Sequence, residues 1–223
     1  AKARRNFRPT NVRRQFQQAQ KFYNQKQYQK AAVSFDAILR RYPGHEPSRI
    51  QLAKTYYRLD RIRDSYTVFY SLNPANFDPE TSYEYGFAFY TAKQYEGAFI
   101  GFQRVPKGHA LYDLANYYGG ISAIKLKRYE AAEDMLEKAV VLPDKLSKSR
   151  GVYLKHVTAL RQLQEKSQLR KERQKERDRL RAEREKKQGP KPAPAPEKEL
   201  EPYKHGGFLG VSKGASLSYE TEH

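Results

Sequence analysis

The chain has no cysteine, no tryptophan and one methionine. Without thiols there is neither a disulfide framework nor a thiolate metal site, which suits a reducing or an oxidising compartment equally. No run of 18 apolar residues occurs, so no transmembrane helix is expected. The five histidines (His45, His109, His156, His205 and His223) are scattered, with no pair at ligand spacing on one helix face. No serine stands in a strand-to-helix elbow that would expose a nucleophile. The Gly206–Gly214 stretch GGFLGVSKG has serine ahead of lysine and no helix after it, unlike a phosphate loop. These absences lead us to expect no metal, no cofactor and no enzyme.

Charge and rings are plentiful. The net charge is +18, and the ends carry most of it. Residues 1–14 hold six Lys or Arg and no acid, while 164–188 hold eleven bases and six acids. Eighteen Tyr and eleven Phe supply much of the apolar volume, as suits stacked helices whose gaps are filled by rings.

The chain repeats itself at an offset of 34. Ala19, Phe22, Ala31, Phe35 and Ile38 precede Ala53, Tyr56, Ser65, Phe69 and Leu72 by that spacing. Gly86 precedes Gly120 by 34, as Tyr95, Ala98 and Phe102 precede Tyr129, Ala132 and Leu136, with one residue lost between the second and third units. Leu111–Pro143 shows the unit plainly: two amphipathic helices folded back on each other, closed by proline. Pro43, Pro74 and Pro106 close the other units.

This period and its small and aromatic positions resemble the tetratricopeptide repeat. The likeness implies an all-α, right-handed α-α superhelix of about four repeats over residues 12–143. Two features depart from the family pattern. The early tryptophan is missing, and Lys26, Asp60, Lys93 and Lys127 stand where the turn glycine belongs.

Around the solenoid we expect further segments: a basic arm at 1–11, entering the first helix near Thr10 or Asn11, and a capping helix at 144–163. A charged helix at 164–188 should follow without an apolar seam for a dimeric coiled coil. A proline-rich linker spans 189–202 and forces an extended spacer. Residues 203–223 alternate apolar and polar side chains, as a strand that needs a partner or as disorder.

In the family resembled, first helices line a concave groove that holds a partner segment. Carried over position by position, the likeness implies that Phe16, Gln20, Tyr23 and Asn24 face the groove from the first unit, and Ile50, Lys54, Tyr57 and Arg58 from the second. The third supplies Tyr83, Phe87, Tyr90 and Thr91, and the fourth Tyr117, Ile121, Ile124 and Lys125. Tyrosine is well suited to recognition, yet the same rings could simply pack on one another or against the chain's own 150–163 helix.

The lysine and asparagine set that clamps acidic tails in chaperone-binding members is replaced here by Phe16, Gln20 and Gln51, so an apolar helix or extended segment is the expected ligand. The expected role is a scaffold for protein or peptide partners, with self-association left open. The layout of repeats ahead of strand-like residues 207–221 also resembles bacterial envelope proteins that place such repeats in the periplasm before an outer-membrane barrel; a cytoplasmic location is the alternative. A second class of function is binding of nucleic acid or anionic surfaces through the arm and the charged helix. Its interspersed acids weaken the field that phosphate contacts need.

Overall fold

The computed structural model describes residues 9–188. The basic arm up to residue 8, the proline-rich linker and the strand-like tail lie outside them. The described residues are all-α, with no strand, and the helices pack in successive pairs.

The first hairpin is α1 (Pro9–Asn24) and α2 (Tyr28–Arg41), and the second α3 (Glu46–Arg58) and α4 (Ile62–Phe69). The third is α5 (Pro79–Thr91) and α6 (Tyr95–Gln103), and the fourth α7 (Tyr112–Lys125) and α8 (Tyr129–Lys138). A 45-residue helix, α9 (Asp144–Gln188), follows. Proline's fixed φ suits the first helical position, so α1 begins at Pro9, ahead of the expected entry at Thr10 or Asn11. Asp78 caps α5: its Oδ1 accepts from the Thr81 N–H at 2.9 Å, and Pro79 opens the helix.

All four hairpins turn in the same way. The residue in the glycine position takes left-handed backbone each time, with φ of 59° at Lys26, 57° at Asp60, 60° at Lys93 and 60° at Lys127. The next residue donates its N–H back five residues: Gln27 to Phe22 O, Arg61 to Tyr56 O, Gln94 to Phe89 O and Arg128 to Ala123 O, each at 2.9 Å. This satisfies the last carbonyls of each first helix and points the chain into the second.

The small positions are where helices cross. Ala19, Ala53, Ala31, Ser65, Ala98 and Ala132 are fully buried. Ser65 replaces an alanine without an orphaned hydroxyl, because Oγ donates to Ala53 O at 2.9 Å. Beneath them Phe35, Phe69, Phe102 and Leu136 fill the hairpins. Two apolar clusters result: Val12 to Leu52 forms the first, and Ala53 to Val157 the second.

The first part of α9 closes the fourth hairpin. Val157 is fully buried, Arg150 donates to Ala139 O at 2.9 Å, and Arg161 lies 2.7 Å from Glu133. From Gln162 to Lys187 every side chain is exposed, and within 174–187 arginines pair with acids one turn on, Arg179 with Glu183 and Arg181 with Glu185.

Candidate functional site

The first helices α1, α3, α5 and α7 present the residues assigned to the groove. Packing holds α1 against α3, α3 against α5 and α5 against α7, so the four contributions form one continuous surface. Its middle is a ladder of rings. Phe87 is the hub, with Tyr57 at 6.0 Å, Tyr83 at 6.2 Å, Tyr90 at 6.4 Å and Tyr118 at 5.3 Å between centroids. Tyr118 continues to Tyr90 at 5.2 Å and Tyr117 at 5.1 Å. Tyr117 then meets Tyr153 of α9 at 6.3 Å, so the last helix supplies a ring to one end of the ladder.

The assigned residues differ in how far they reach solvent. Tyr83, Tyr117 and Ile121 are buried, whereas Ile50, Tyr57, Phe87, Tyr90 and Ile124 are half-buried and keep an open edge. Phe16 packs between α2 and the entry to α3, 5.7 Å from Phe35 and 5.5 Å from His45. Tyr23 leans on Tyr28 at 5.4 Å while its hydroxyl accepts from Arg58 Nε at 3.3 Å. Gln20 donates to Asn24, and Thr91 Oγ to Phe87 O. Lys125 is exposed. Burial pushes the Tyr57 phenol up to about 12, with Glu84 adding to the effect, and the Tyr90 phenol likewise to about 12. These phenols stay neutral donors at any ordinary pH.

Beside the rings, between α3 and α5, lies a charged cluster. Lys54 is nearly buried, with Nζ 3.6 Å from Glu80 and 3.9 Å from Asp78. Arg58 pairs with Glu80 and lies 2.8 Å from Glu84. Glu84 is only 1% exposed. Its contact with Arg58 falls off the N–H directions, so neither carboxylate oxygen receives a hydrogen bond. Burial raises the Glu84 carboxyl to about 7, against the lowering pull of Lys54 and Arg58.

Sequence reasoning located Lys54 and Arg58 but missed Glu84, Glu80, Tyr118 and Tyr153. A signal for Glu84 existed: it is the one charge in the run Thr81 to Ala92, TSYEYGFAFYTA. An acid inside a stretch that can only be buried needs a cation from a neighbouring helix. No such signal marks Tyr118, which is one residue off the family's groove register at Tyr117.

No group of three or more His, Asp or Glu among the described residues could hold a metal ion, and no helix there is long and apolar enough to cross a membrane. No protein-family model matches the chain, and no curated protein matches it. Solved structures do match. One titled "Crystal structure of MamA protein" is 16% identical with a TM-score of 0.48, covering 79% of this chain and 96% of that one. A second, "Crystal structure of MamA", is 18% identical at 0.41, covering 66% and 96%. A third, "MamA RS-1 ArsTM double mutant", is 17% identical at 0.45, covering 69% and 96%. At these identities and scores nothing of a neighbour's role transfers to this chain.

Proposed function

We propose that the protein is a non-enzymatic interaction scaffold that receives a peptide or helix of a partner protein along the surface of its first helices. The carrying observation is the set of half-buried rings of Tyr57, Phe87 and Tyr90. Each is locked by ring neighbours, so little conformational freedom remains to be lost on binding, while an apolar edge and neutral phenol donors stay available. The fourth unit adds less open surface, because Tyr117 and Ile121 are buried and Tyr153 rests on Tyr117. The ligand therefore sits over the second and third units, and an apolar or aromatic segment is the chemistry that fits.

A displayed peptide library selected on the folded protein tests this. Selected peptides should share spaced apolar anchors and lose binding to the Tyr57→Ala, Tyr90→Ala, Tyr117→Ala triple variant. Retained binding in a triple variant with an unchanged helical circular dichroism spectrum would overturn the assignment.

The finer placement, in a bacterial periplasm or envelope ahead of an outer-membrane barrel, is supported by the alternating pattern of residues 207–221 alone. Fractionation of the tagged protein checks it. Capture of nucleic acid is the weaker reading, since the exposed arginines at 179 and 181 already pair with their own acids.

A further inference from the structure

The joint between the second and third hairpins differs from the others. Nine residues, Tyr70 to Asp78, connect α4 to α5 with a short 3-10 turn at Pro74–Asn76, and α4 has only eight residues. Across this joint the first helices are tied by charge. Arg58 on α3 reaches forward to Glu80 and Glu84 on α5 and back to the Tyr23 hydroxyl on α1, so one side chain links three hairpins. The tie is unusual at one point. Glu84 has no water access and no hydrogen bond to either oxygen.

We propose that Glu84 is a proton-binding site that controls the joint between the second and third hairpins: with the proton bound the joint is closed as seen here, and loss of the proton opens it to water. Proton binding and opening are thermodynamically linked. A neutral carboxyl tolerates this dry site, whereas a carboxylate loses its hydration and gains only an ion contact in return. An arrangement that lets water reach Glu84 therefore binds the proton less tightly than the closed one, and raising pH must favour it. The groups facing Glu84 set the size of the effect. From α3 these are Lys54 and Arg58, which favour the carboxylate, and Tyr57, whose phenol stays neutral; from the start of α5 they are Asp78 and Glu80, which oppose it. Tyr23 of α1 faces the same cluster through Arg58, and Tyr118 of α7 acts on Tyr57.

If Glu84 returns to an ordinary 4.5 when the joint opens, the closed-to-open ratio falls by about two orders of magnitude between low and high pH. Opening parts α3 from α5 and with them the ring contact of Tyr57 on Phe87. The ladder would be interrupted between the second and third units. The inference does not depend on any ligand for that surface.

The absence of native cysteine allows clean spin labelling at two exposed positions, Lys21→Cys on α1 and Lys125→Cys on α7. Electron–electron distance measurements on this doubly labelled protein at about pH 6 and about pH 8 should show a longer population growing at the higher pH. Carbon-13 carboxyl NMR, assigned with Glu84→Gln, should show Glu84 titrating near neutrality. In Glu84→Gln the distance should stay at its low-pH value throughout. Should that variant not fold, Arg58→Met serves instead: without the cation the closed site tolerates the carboxylate still less, so the longer population at about pH 8 should grow. A Glu84 that titrates in the usual carboxylate range overturns the proposal, as does a distance that ignores pH, or one that still responds in Glu84→Gln or is unmoved in Arg58→Met.

Discussion

Two kinds of residue carry strain here, and each makes a measurable claim. The left-handed turn positions are the first. Lys26, Lys93 and Lys127 hold φ near 60° with a Cβ that glycine would lack. Lys93→Gly should therefore raise stability, by up to about 1 kcal/mol once glycine's greater unfolded freedom is allowed for. Lys93→Val should lower it, because a β-branched side chain resists that conformation. Urea titration of the two variants against the parent decides the matter. Glu84 is the second. Its folded carboxyl, near 7, lies above the unfolded value of 4.5, so the folded chain holds a proton that the unfolded chain has released between those values. Stability should then fall as pH rises from about 4.5 to about 7, by at most roughly 3 kcal/mol, and level off above. Glu84→Gln should flatten that window; a wild-type and variant pair with identical slopes would remove Glu84 as the cause.

Within the helices, glycine marks two opposite situations. A methyl added at Gly101 of α6 would meet the Gly86 backbone of α5 at 2.8 Å, where no flexible side-chain end can give way. Gly101→Ala should cost about 1–3 kcal/mol through forced separation of α5 and α6. Gly151 of α9 has nothing within 4 Å of such a methyl, so Gly151→Ala should gain about 0.5–1 kcal/mol by helix propensity alone. Thermal unfolding of both variants tests the pair. Hairpin architecture was legible because it rests on local rules: small residues at crossings, an aromatic three positions on, a turn residue and a proline. The turn even survives replacement of glycine by lysine or aspartate, since the backbone bonds from residues such as Gln27 and Gln94 need only the conformation. The candidate site was less legible. Register assigned Phe16 to the groove, but its ring lies toward Phe35 and His45, because the direction a ring takes is set by neighbours far along the chain. Tyr118 entered the ladder from outside the register for the same reason.

The chain as a whole, over the residues that belong to the helical array, inherits the mechanics of a one-dimensional stack. Each hairpin contacts its neighbours, so stability is a sum of unit and interface contributions and can be lost from an end. The exposed flank of the fourth hairpin is covered by α9, and Val157, with no exposure, is the side chain buried there most completely. Val157 belongs to the larger apolar cluster, which begins at Ala53, while the first hairpin shares a separate cluster, from Val12 to Leu52, with α3. Val157→Ala should therefore cost about 2 kcal/mol, and the loss should not be uniform. Amide hydrogen exchange should accelerate in α7 and α8 first, then in α5 and α6, with α1 and α2 unchanged under mildly native conditions. Uniform acceleration across all four hairpins would mean that the two clusters unfold as one unit, and that the array behaves as a single globule despite its repeating sequence.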